Sequence, residues 1–112
     1  MHKSPGFQGA INEMLVAHDL MKHGWYVFRA LSAVSPYDLM ASRDNIDIRV
    51  EVRAGSRVGK YQAVGVANNG ALNKQHYDLL AIVLPTEEII YRENTTRRGG
   101  LTVIGEYLAK VV

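Results

Sequence analysis

The sequence predicts an α/β fold: a mixed central β-sheet flanked by helices, with elements in the order α-β-β-β-(α)-β-β-α. Three observations carry this. An amphipathic run with helix punctuation opens the chain, a strictly alternating run occupies its middle, and a continuous apolar run follows between turn signals. At 112 residues, positions 1–112 are expected to form a single domain.

Ser4 before Pro5 places an N-cap and a first-turn proline at the start of a helix over about residues 5 to 23. Phe7, Ala10, Ile11, Met14, Ala17, His18 and Met21 fall at helical spacing and are expected to face the core. Gln8, Asn12, Asp19 and His23 fall opposite, and Gly24 supplies the stop. Glu13 lies on the flank, in line with Ala17 and Leu20, where a carboxylate leans over the edge of an underlying sheet.

Trp25 to Ala30 is aromatic and β-branched and reads as the first strand; Tyr37 to Ser42 reads as the second. The turn Arg43-Asp44-Asn45 then predicts an antiparallel hairpin with the strand Ile46 to Arg53. From Gly55 to His76, four glycines and Asn68-Asn69 argue against one regular element; a short strand within Lys60 to Val66 and a helical turn over Asn73 to Tyr77 are expected. Asp78 to Leu84 is apolar throughout, as for a strand covered on both faces, and Ile89 to Arg92 returns as another. Val103, Ile104, Tyr107, Leu108 and Val111 predict a closing helix.

Composition bounds the chemistry. Without cysteine, disulfides and thiolate zinc sites are excluded. No apolar run approaches the ~20 residues of a membrane span, and the start lacks the apolar stretch of a signal peptide, so a cytoplasmic location with no membrane partner is expected. Thirteen Lys+Arg against 11 Asp+Glu give a net charge of +2, which permits nucleic-acid binding without demanding it. The four histidines are scattered, His18 and His23 face different directions on the helix, and His18 reads as a core histidine. No phosphate-binding glycine loop is present.

The informative stretch is Ile46-Asp47-Ile48-Arg49-Val50-Glu51-Val52-Arg53. Its even positions line an apolar face and its odd positions a charged one, which sets Glu51 beside Arg53. A hairpin partner carrying Asp38 brings a second carboxylate next to Glu51. Two carboxylates and a cation at one place are what a divalent metal ion and a phosphodiester need. The alternative reading of the same alternation is an exposed ladder of salt bridges.

Glu13 on a helix, Pro36-Tyr37-Asp38 on a strand and Glu51-Val52-Arg53 on the next resemble the PD-(D/E)xK nuclease superfamily. Within it, the likeness is to archaeal Holliday-junction resolvases and group I intron homing endonucleases of that fold, over about residues 6 to 93. The resemblance implies a restriction-endonuclease-like sheet and a metal-dependent endonuclease that hydrolyses DNA. It implies that Asp38, Glu51 and the Val52 carbonyl hold Mg²⁺ or Mn²⁺, with Glu13 acting through a water or a second ion. Gln62 is at a place where some relatives keep a polar active-site residue. Arg49, Arg57, Lys60 and Lys74 are candidate nucleic-acid contacts, and the implied partner is branched or specific duplex DNA. Cutting both strands with so small a subunit implies a homodimer.

Arg53 departs from the family, which usually has lysine there. Arginine does not give up its proton and makes a poor base, although its fork suits phosphate oxygens. Catalysis must then proceed without that lysine, or Lys60 must reach the site. The alternative function is a nuclease-like domain that binds nucleic acid without cleaving it.

Overall fold

The computed structural model describes residues 5–32, 35, 37–60, 62–66 and 77–94. Helix α1 (Pro5–Lys22) opens it. Gly24, at φ +90°, ends the helix where the sequence predicts. The Trp25 N–H donates to Leu20 C=O at 3.1 Å and the Gly24 N–H to Met21 C=O at 3.0 Å, the paired bonds of a Schellman closure.

Six strands follow: β1 (Tyr26–Arg29), β2 (Leu39–Arg43), β3 (Ile46–Val58), β4 (Ala63–Val66), β5 (Leu79–Val83) and β6 (Ile89–Glu93). The sheet order is β1-β2-β3-β5-β6, with β4 pairing only on the far end of β3. The β3–β5 pair is parallel and the other pairs are antiparallel, so the sheet is mixed.

Val16 and Leu20 of α1 bury themselves on Leu39, Ala41, Ile48, Val50, Leu79, Ala81 and Val83. The even positions of β3 thus face the helix, as alternation requires, and each fully buried aliphatic side chain contributes about 1.5–3 kcal/mol. Tyr77, Leu80, Ile82 and Leu84 form a second cluster on the opposite face, with Val64 and Ile90 against it. All five residues of β5 are buried, which is why its sequence is apolar without alternation.

The helix face differs from the expected one. Phe7, Met14 and Met21 are more than half exposed and His18 is exposed, whereas Val16, Leu20 and Asn12 are buried. Apolar residues occur on more than one side of α1, and the compact Val16–Leu20 stripe fits the sheet better than the longer Phe7–Met14–Met21 row. Asn12 tolerates burial because its side-chain oxygen accepts from Gln8 at 3.0 Å. Asp19, expected on the solvent side, accepts the Tyr91 hydroxyl at 2.6 Å and ties α1 to β6.

The glycine-rich stretch holds the short strand expected within Lys60 to Val66, as β4, but its start differs. The central strand does not stop at Arg53 but runs to Val58, where β4 returns against it as a two-stranded arm. Gly55 is the crossing point: a Cβ there would collide with the Ile82 side chain and lie 2.6 Å from the Gly65 carbonyl oxygen. Gly59, at φ +77°, makes the turn at the tip. Ser4, Pro36, Lys74, most of the helical turn expected from Asn73 and the closing helix lie outside the described residues. No described helix is long and apolar enough to cross a membrane.

Candidate active site

The site forms just before β2 begins, beside the continuing β3. Leu39, the first residue of β2, makes the outermost of its pairings with β3, opposite Val50. Beyond it the Asp38 N–H donates to Val50 C=O at 3.1 Å, and the Asp38 carboxylate accepts the Val52 N–H at 2.8 Å. A side chain thereby takes the bond a strand neighbour would otherwise make. The N–H and C=O of one strand residue point to the same edge, so the Val52 carbonyl is directed to the side where Asp38 sits.

Glu51 and Arg53 project from the face away from α1. Their register partners on β5 are Leu80 and Ile82, both in the second cluster. Arg53 donates to Glu51 at 3.4 Å. The Glu51 carboxyl also shares a hydrogen bond with Asp38. Burial, that bond and the Asp38 charge push the Glu51 pKa up to about 8, against the opposing pull of Arg53. Glu51, this close to Asp38 in a half-buried site, therefore holds its proton near neutral pH. Arg53 Nε is buried and has no hydrogen-bond partner among the described residues.

Glu13 approaches from the helix side. It shares a cleft of about 370 Å³ with Arg29, Ser35 and Asp38, and Gly6 and Gly9 of α1 form part of its wall. Arg29 Nε donates to Glu13 at 3.3 Å. Burial and the Asp38 charge raise the Glu13 pKa, while Arg29 lowers it. Asp38 therefore lies between Glu13 on the helix side and Glu51 on the other. The three do not form one cluster: among the described residues no group of three acidic or histidine side chains is close enough to hold an ion.

The remaining candidates are dispersed. Gln62 sits in the β3–β4 turn at φ +55°, its amide donating to Gly59 C=O at 3.1 Å. At ~3.3 Å per residue, that turn is more than about 15 Å along the strand from Arg53. Lys60 is in the same turn and is too far out to stand in for the missing lysine. Arg49 is not displayed for a partner: its backbone N–H and guanidinium both donate to the buried Asp78, at 2.9, 3.2 and 3.3 Å. Arg57 grips both carboxylate oxygens of Glu88, at 3.3 and 3.1 Å.

Two neighbours of the site escape a reading of the sequence. Arg29 terminates an aromatic strand, and only the fold brings it to Glu13. Tyr77 is buried beside Leu80 and Ile82, and its hydroxyl feels the charges of Glu51 and Arg53. Asn94 pins Tyr77 by donating to its carbonyl at 2.7 Å.

No family model matches the sequence, and no curated protein does. Among solved structures the fold is similar to that of a bacterial homing endonuclease, I-Ssp6803I, with a TM-score of 0.66 and 16% sequence identity over 84% of this chain and 72% of that one. The chain thus has a mixed α/β fold of the kind seen in that nuclease.

Proposed function

We propose that this protein is a divalent-metal-dependent endonuclease that hydrolyses DNA phosphodiester bonds. The observation that carries the reading is the Asp38–Glu51 carboxyl pair just before β2 begins, flanked by the Arg53 guanidinium. A homing endonuclease with a similar fold supports it.

The donor set fits a hard cation. Mg²⁺ binds through one or two carboxylates and keeps several waters. Asp38 and Glu51 would supply the carboxylates, and the Val52 carbonyl a further oxygen. When bound, the cation offsets charge on the scissile phosphate and acidifies a water. Glu51 would hold the cation as a carboxylate, in place of the proton it carries otherwise. Arg53 offers its buried Nε–H to a phosphate oxygen as negative charge builds there. Glu13, fixed by Arg29, orients a water on the helix side of Asp38. Action on both strands would take two copies related by a twofold axis.

A second reading keeps the DNA and drops the cleavage. It is favoured by Arg53 itself, which Glu51 already engages and which cannot act as a base. A panel of four-way junction, supercoiled plasmid and single strand, incubated with Mg²⁺ or Mn²⁺, separates the two. Scission by the wild type that is lost in Asp38→Asn and Glu51→Gln supports the nuclease. Intact substrates in both metals, with binding retained, support the non-cleaving domain.

A further inference from the structure

The β3–β4 arm is a two-stranded ribbon that leaves the main sheet at Gly55 and ends in an exposed turn. It is the direct continuation of the strand that carries Glu51 and Arg53. Arg57 and Lys60 are both exposed on it. Two contacts fasten its base. Arg92 of β6 donates to Val64 C=O at 2.7 Å, and Arg57 pairs with Glu88. Arg57 Nη2 donates to both Glu88 oxygens while Nη1 donates to the Gln62 carbonyl at 3.3 Å, so the guanidinium is held by the arm on one side and presents its other side to an anion. Both partners are more than 40% exposed at the side chain, so the pair is weak and exchangeable.

We propose that the β3–β4 arm is a DNA-docking ribbon, and that Glu88 holds Arg57 in the posture in which it grips a backbone phosphate. This rests on the nuclease reading and extends it to how the duplex is held. A major groove about 12 Å wide admits a two-stranded ribbon. The arm's path sets its contact roughly 20 Å along β3 from Glu51, at ~3.3 Å per residue. Glu88 is a stand-in anion that leaves as the duplex arrives, which keeps Arg57 ordered and discourages weaker anionic partners.

The test is fluorescence anisotropy of a labelled duplex of arbitrary sequence with the full chain in the Asp38→Asn background, across a salt series. Arg57→Ala is expected to reduce the slope of log affinity against log salt by about one phosphate contact, and Arg57→Lys to restore it. Glu88→Gln is expected to tighten binding by up to about fivefold, the most that an exposed pair withholds. That gain disappears when Arg57 is also alanine. An unchanged slope in Arg57→Ala overturns the docking role. An equal gain from Glu88→Gln with and without Arg57 shows simple repulsion and overturns the stand-in. A background protein that binds no duplex at any salt overturns this proposal and the nuclease reading together.

Discussion

Asp38 and Val52 meet just before β2 begins, where β3 runs on past it, the Asp38 carboxylate accepting the Val52 N–H at 2.8 Å. On the other edge of β3, Asp78 does the same for the Arg49 N–H at 2.9 Å. One strand is thus finished on both sides by an aspartate. Asp78 is closed off by a guanidinium, whereas Asp38 faces a second carboxyl.

Asp38→Asn keeps an oxygen for the Val52 N–H and removes the charge. Its stability should stay within about 1 kcal/mol of wild type, the worth of one altered hydrogen bond. Metal-dependent cleavage should fall on the order of a hundredfold or more. Urea unfolding beside a plasmid-nicking assay reads both quantities.

The Glu51 carboxyl sets a pH dependence whose sign is fixed. Its pKa rises from 4.5 to about 8 on folding, so between those values the folded protein holds a proton that the unfolded chain releases. The resulting stability is complete below pH 4.5, declines as pH rises and is gone above about 8. In EDTA, the melting temperature of wild type relative to Glu51→Gln should fall across that window. Excess Mg²⁺ should flatten the difference, because the cation replaces the proton.

Arg53→Lys tests the departure from the family pattern. Lysine keeps the positive charge beside Glu51 and restores a group that can lose its proton when desolvated. Cleavage should be preserved or raised. Arg53→Ala should lower it and drive the Glu51 pKa higher still, since the guanidinium is what pulls it down.

Gly55→Ala forces a Cβ against Ile82 and the Gly65 carbonyl. Overpacking of this kind costs about 1–3 kcal/mol, which urea titration detects.

Asp78→Ala strips the Arg49 N–H and guanidinium of a buried acceptor. The expected loss is about 3 kcal/mol. Arg49→Lys should likewise weaken the fold and leave the salt dependence of DNA binding unchanged.

Strand order around the hairpin, the burial of β5 and the stop at Gly24 were legible because each depends on near neighbours in the chain. The nearness of Asp38 to Glu51 was legible for the same reason, since a two-residue turn, Asp44-Asn45, joins β2 to β3. The helix face was not: α1 carries apolar residues on two sides, and the sheet chooses between them by shape. Gly55 misled because its local propensity against strand is outweighed by a close crossing with β5 and β4. Arg49 and Arg57 looked displayed because Asp78 and Glu88, the acids that engage them, lie some 30 residues further on. Glu13 met an arginine for which the sequence holds no signal.

The Asp38–Glu51 pair is expected to grip a divalent cation. Crystals grown with Mn²⁺ and measured at the manganese absorption edge test it most directly. One anomalous peak about 2.1 Å from oxygens of both carboxylates and the Val52 carbonyl is predicted, and it should vanish in Glu51→Gln. A peak elsewhere, or none while the protein still cuts DNA, would contradict the account.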